Sequence, residues 1–157
     1  SEMCIRDSFN GMREREGAKL SADILSRAGT IEALTAQVEA QSPKTVAEYR
    51  GRLENKMKEV LQNTQIDESR ILTEAAIFAD KVAVDEETVR LHSHLSQLRT
   101  LLEQDGPMGR KLDFLIQEFN REANTIGSKC NDLETARHVI DIKAEIEKIR
   151  EQVQNIE

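Results

Sequence analysis

Apolar residues recur every three or four positions along almost the whole chain, and no stretch alternates apolar and polar residues as a half-buried strand would. Met12, Leu20, Ile24, Ala28, Ile31, Leu34 and Val38 mark one stripe running from Phe9 to about Gln41, interrupted across Arg13–Lys19. Ser42-Pro43 predicts a break there, or the first turn of a new helix, because proline lacks the N–H that a helix interior uses. Val46, Tyr49, Leu53, Met57 and Val60 then continue the rhythm. Two such helices in succession predict an antiparallel hairpin or an extended arm.

The segment from Asn63 to Asp67 reads as a connection, with Asp67 as the N-cap of a helix marked by Ile71, Ala75, Phe78, Ala79 and Val82. Asp85 is predicted to cap the next helix, whose stripe is Leu91, Leu95, Leu98 and Leu102. Asp105-Gly106-Pro107 stops it. A helix from Gly109 carries Leu112, Leu115, Ile116, Phe119, Ala123 and Ile126 and is expected to loosen around Gly127. The last helix starts near Asp132 and bears Val139, Ile142, Ile146, Ile149, Val153 and Ile156. The fold class is therefore all-α: a long helical hairpin or arm over residues 9–66, then a C-terminal helical bundle over 67–157.

One helix has more polar functionality than structure requires. Between Gly109 and Lys129 the positions off the apolar stripe are Asp113, Gln117, Glu118, Asn120, Arg121, Glu122, Asn124 and Thr125. Glu118 and Glu122 stand one turn apart on one flank, and Asn120 and Asn124 on the other. Asn and Thr are mediocre helix formers, so their density is unfavourable for a purely structural helix.

Composition narrows the classes. The 157 residues suffice for one domain with an arm. A net charge of -7 argues against a general polyanion-binding surface, though not against a local patch. Aromatics are 3% and Trp is absent, which argues against base-stacking platforms of the kind that grip single strands. No apolar run approaches the roughly 20 residues of a membrane span. Cys4 and Cys130 form no framework or metal spacing, and a reduced cytoplasm suits them. Ser1-Glu2-Met3-Cys4-Ile5-Arg6-Asp7-Ser8 reads as the translation of a transposon-end adapter, so residues 1–8 are set aside as foreign to the gene.

Three helices carry charge where an apolar stripe meets solvent: Glu87/Arg90/His94, Glu118/Arg121/Glu122, and Lys143/Glu147/Arg150. Converging, they would form an acid-lined cleft with one imidazole and several cations. Hard oxygen ligands there suit Mg²⁺ or Mn²⁺. Such an ion activates water and neutralises phosphate, arginine stabilises charge in phosphoryl chemistry, and His94 can ligate or carry a proton. The plain alternative is a set of ordinary helix-surface pairs at three and four residues. His92 and His138 read as surface residues. There is no Gly-rich phosphate loop, no convincing Ser-His-Asp order and no zinc spacing.

Gly109-Arg110-Lys111-Leu112-Asp113-Phe114-Leu115, Gln117-Glu118, Asn120-Arg121-Glu122, Asn124-Thr125-Ile126 and Ser128-Lys129 together resemble the signature of the YicC/YloC family of bacterial proteins. The ending Glu147–Glu157, Arg90-Leu91 with Ser93-His94-Leu95, and Met12-Arg13 with Glu16-Gly17 and Leu20 are similar to that family too. The resemblance implies a metal-dependent endoribonuclease of single-stranded RNA, cytoplasmic, clamping RNA as a ring-shaped homohexamer. It also implies a link to stress responses and RNA turnover, with an exoribonuclease as a possible partner. Two departures accompany it: the family's N-terminal β-rich region is absent, and Ala83 stands where an Asp is expected before Glu86-Glu87.

His94, Glu118, Arg121 and Glu122 are the catalytic candidates, with His94, Glu118 and Glu122 as ligands of Mn²⁺ or Mg²⁺. Arg90, Arg110, Lys111, Asn124, Lys129 and Arg150 are the candidates for RNA contact. The three ligands should converge on one concave surface near Arg121 or Arg150, with Asn120 and Asn124 on the opposite flank. The competing class is a non-enzymatic helical adaptor or scaffold in RNA decay, supported by the long amphipathic first half and the regular stripe of residues 139–156. In either case the arm should leave apolar surface uncovered and drive self-association.

Overall fold

The structure is a computed structural model that describes residues 2–62, 65–104 and 106–156, apart from the side chains of Phe9, Asn10 and Ile156. Among the described residues it contains five helices: α1 (Glu2–Leu61), α2 (Glu68–Lys81), α3 (Asp85–Glu103), α4 (Gly109–Lys129) and α5 (Leu133–Ile156). No strand occurs among the described residues.

The break expected at Ser42-Pro43 does not form. α1 is one continuous helix of 60 residues with Pro43 inside it, so the arm is realised and the hairpin is not. Pro43 is exposed, whereas Val38, Gln41 and Thr45 around it are buried. Packing on that side holds the helix through a residue that withholds one backbone hydrogen bond. The buried hydroxyls near it are satisfied by the helix: Thr35 donates to the carbonyl of Ile31 and Thr45 to that of Gln41. Gln62, with φ of 48°, closes α1 in the left-handed region, its amide bonding the carbonyl of Lys58.

Other boundaries follow local chemistry. Asp67 accepts from the amides of Ser69 and Arg70, as an N-cap should. Asp85 is the first residue of α3 rather than its cap; Val84 holds the cap position without a side-chain bond. Gly106 turns the chain at a φ of 109°, which an L side chain rarely adopts. Asp105, part of the same predicted turn, lies outside the described residues. α4 does not loosen at Gly127 but runs to Lys129, and Asp132 caps α5 by accepting from the amide and hydroxyl of Thr135.

The core gathers one stripe from each of four helices: Ile24, Ala28, Ile31 and Val38 of α1, Leu91, Leu95, Leu98 and Leu101 of α3, Leu112 to Ile126 of α4, and Val139 to Val153 of α5. α1 packs on α3 and α5, and α4 packs on the same two, so the helices form a ring in the order α1, α3, α4, α5. Neighbours are antiparallel, as their cross-links record: Glu32 with Arg99 and Glu39 with His92 for α1 and α3, Arg27 with Glu145 for α1 and α5. Gln152 donates to Asp23 and, with Arg27, holds that carboxyl below its ordinary value. α2 lies outside the ring on the far part of α1, where Phe78 stacks on Tyr49 at 3.9 Å.

Candidate functional site

The seam where α3 and α4 meet on the outside of the ring is polar for half its length. α3 presents Glu87, Arg90 and His94 to it, and α4 presents Lys129, Glu122 and Glu118 in the reverse order, as antiparallel helices must. Each set is spaced by three, four or seven residues, which keeps it on one helix face. Leu91, Leu95 and Leu98 on one side and Phe119, Ala123 and Ile126 on the other fix the two helices beneath the seam.

His94, Glu118 and Glu122 converge: one ligand atom from each lies within 4.8 Å of the others. The Nε2 of His94 is 3.7 Å from Oε2 of Glu118, too far for a hydrogen bond, and neither ring nitrogen has a hydrogen-bond partner among the described residues. The ring is set edge-on against Phe119, with centroids 6.2 Å apart. Glu122 is enclosed, its side chain 2% exposed, and Oε1 accepts from Nε of Arg90 at 2.8 Å. Arg121 lies 3.0 Å from Glu118 and 3.6 Å from Glu122 and is itself 65% exposed, so its charge faces both the acids and solvent.

Glu87 completes the cluster. The sequence places it beside Arg90, but its part emerges only in the structure: its side chain is 3% exposed, and Oε1 receives Nζ of Lys129 at 2.8 Å. Burial alone would raise its carboxyl, but the Lys129 hydrogen bond, a backbone hydrogen bond and the charges of Lys129 and Arg90 reverse that, and it titrates below its ordinary value. Lys129 also donates to the carbonyl of Ala83, so it ties the start of α3 to the end of α4 while about a third of its side chain stays exposed. The signal in the sequence was the three-residue step from Glu87 to Arg90; the pairing with Lys129, 42 residues on, needed the fold.

The remaining candidates lie elsewhere. The third expected border does not join: Arg150 pairs with Glu147 within α5, and Lys143 donates to Oδ1 of Asn124 at 2.7 Å. Asn124 thus bridges α4 to α5 on the flank away from the acids, as its helical position predicts. Arg110 and Lys111 line a groove farther along the α3–α4 seam. His92, expected at the surface, pairs there with Glu39.

The fold and the seam define a class: an all-helical protein with three carboxylates, an imidazole, two guanidinium groups and an ammonium gathered between antiparallel helices. Comparison narrows this. Residues 38–157 match the family described as "Endoribonuclease YicC-like, C-terminal", and the chain belongs to that family. It is 46% identical to the probable endoribonuclease YicC of Clostridioides difficile over 147 residues, 93% of this chain and 50% of the relative. It is 37% identical to the probable endoribonuclease YicC of Haemophilus influenzae over 149 residues, 95% of this chain and 51% of the relative. The chain therefore spans about half the length of these curated relatives.

Proposed function

We propose that this chain carries the catalytic seam of an endoribonuclease that hydrolyses phosphodiester bonds in single-stranded RNA with the help of Mn²⁺ or Mg²⁺. The observation that carries the reading is the convergence of His94, Glu118 and Glu122 within 4.8 Å, with Arg90 and Arg121 against the same carboxylates. Membership of the family, and the names of these two among its relatives, supply the substrate class.

The residues fit a divalent ion. Two carboxylates give hard oxygen ligands, and an imidazole whose nitrogens lack hydrogen-bond partners is a natural third; the nitrogen ligand favours Mn²⁺ over Mg²⁺. Bound there, the ion would polarise the phosphate and make water a better nucleophile. The protein's own groups do the rest. Arg121, open to solvent, binds a non-bridging phosphate oxygen and stabilises the charge that grows as water attacks phosphorus. Arg90 sets the position of Glu122. Hydrolysis removes one proton from water and delivers one to the departing ribose oxygen. Glu118, whose Oε1 makes no ion pair among the described residues, accepts the first, and solvent supplies the second. The full-length protein works, in this reading, as a cytoplasmic ring-shaped homohexamer.

The test is end-labelled single-stranded RNA incubated with the chain and with a full-length relative, with and without EDTA. Cleavage should need the ion and fall about 100-fold or more in Glu118→Gln, with circular dichroism unchanged. Absence of cleavage at any metal concentration, with binding to RNA or a protein partner retained, overturns this reading in favour of a helical adaptor.

A further inference from the structure

The acid–imidazole cluster occupies only half of the α3–α4 seam. Beyond His94 and Glu118 the seam opens into a groove of about 510 Å³, lined by Gln97 and Leu101 of α3, by Gln104 just past its end, and by Arg110, Lys111 and Phe114 of α4, among others. The register is continuous with the cluster. Arg90, His94, Gln97, Leu101 and Gln104 follow one another at three- and four-residue steps, and so do Glu122, Glu118, Leu115 and Lys111. Seven residues separate Glu118 from Lys111, which places the basic end about 10 Å along the helix from the acids.

Three features of this groove are unusual for the molecule. Of the six cations on α3 and α4, Arg90, Arg99, Arg121 and Lys129 are ion-paired; Arg110 and Lys111 form no ion pair among the described residues, and both line the groove. Phe114 is 56% exposed at its edge, in a chain of low aromatic content. The polar lining is Ser96, Gln97, Thr100 and Gln104, neutral donors and acceptors without a carboxylate among them, in a chain of net charge -7. A face with an open aromatic ring, amide groups and two unpaired cations complements a base attached to a phosphate, since the ring and amides match the base and the cations match the phosphate.

We infer that this groove is a nucleotide subsite: it holds one base of the RNA strand next to the scissile phosphate, stacked on Phe114 and read by Gln97 and Gln104, with the adjoining phosphate on Arg110 and Lys111. This rests on the ribonuclease reading and extends it. The low aromatic content argues against stacking platforms; Phe114, exposed on this groove, is the observation that departs from that expectation. The consequence of the subsite is polarity of the strand, because the groove opens from the His94–Glu118 end of the cluster while the Glu87–Lys129 pair spans the other end.

The experiment measures binding of a fluorescein-labelled single-stranded RNA to the 157-residue chain in EDTA, where cleavage is blocked, with metal-dependent cleavage of the same RNA as a separate reading. Phe114→Ala should weaken binding roughly five- to 100-fold, and Phe114→Tyr should restore it, whereas Phe114→Leu should not. Replacing both Arg110 and Lys111 by Ala should lower the slope of log affinity against log salt by about 0.7 to 1.4. A single abasic nucleotide moved along the RNA should weaken wild type at one position and leave Phe114→Ala unaffected there, as a double-mutant cycle requires. If these variants bind and cleave like wild type, the subsite is wrong and the ribonuclease reading stands. If wild type binds no RNA in EDTA but cleaves it with the ion, the subsite falls and the ribonuclease reading stands; if it neither binds nor cleaves, both fall. If the variants alter only self-association by light scattering, the groove is a protein interface and the inference is overturned.

Discussion

Glu87 and Lys129 show how a single pair ties the candidate site to the stability of the helices that carry it. The carboxylate is enclosed, the ammonium is about a third exposed, and they meet at 2.8 Å across the α3–α4 seam. The folded state holds the Glu87 carboxyl below its ordinary value of 4.5, so folding disfavours its protonation. The pair's contribution is therefore whole above that ordinary value and is lost as pH falls through the lower, folded one. Glu87→Gln should cost about 1–2 kcal/mol at pH 7, at the lower end because Lys129 stays partly solvated. Urea unfolding of both proteins at pH 7 and near pH 3 should show that gap shrinking in acid; an equal gap at both would mean that shape, not charge, is what Glu87 supplies.

At the scale of the element, α1 contains residues that no isolated helix would choose. Pro43 is exposed in its interior, and its missing N–H deprives the carbonyl of Glu39 of the usual partner. Pro43→Ala should stabilise the protein by about 1–2 kcal/mol, after allowing for the freedom that alanine adds to the unfolded chain. Gly29→Ala should add about 0.5–1 kcal/mol, since a Cβ there meets nothing within 4 Å. Gly127→Ala in α4 is the contrast: its Cβ would stand 3.3 Å from Cγ1 of Val139, so tight packing against α5 cancels the gain in propensity. Thermal melts of the three variants check this ordering, and a gain in Gly127→Ala equal to that in Gly29→Ala would contradict it.

For the whole molecule, the length of α1 is what matters. At 60 residues it extends about 90 Å, whereas the other helices of the ring have 19, 21 and 24 residues and reach roughly 30–35 Å. Its first core residue is Ile24, and most side chains described before Leu20 are exposed, Met3, Ile5 and Met12 included. An uncovered helix of this kind is stabilised by little besides its own backbone bonds. Trypsin should therefore cut first between Arg6 and Lys19 and leave the bundle whole, as mass spectrometry of the fragments would show. Protection of those sites should rise with protein concentration as the expected self-association covers the segment, and first cuts within the bundle would contradict this account.

The helices and their inward faces were legible in the sequence because a 3.6-residue period leaves its mark on every buried stripe, from Ile24–Val38 to Val139–Val153. The flank on which Glu118 and Glu122 stand was legible for the same reason, as was the opposite flank of Asn124. Periodicity describes a residue's position around its own helix but says nothing of which helix comes to face it. Only the tertiary structure decided that Arg90 meets Glu122, that Lys129 is taken up by Glu87, and that Arg150 stays with Glu147 in α5 while Arg110 and Lys111 remain unpaired among the described residues. Pro43 marks the same limit from the other side. Its local preference is to interrupt a helix, and the packing of α1 against α3 and α5 outweighs it, because burial along a continuous face is worth more than one backbone hydrogen bond.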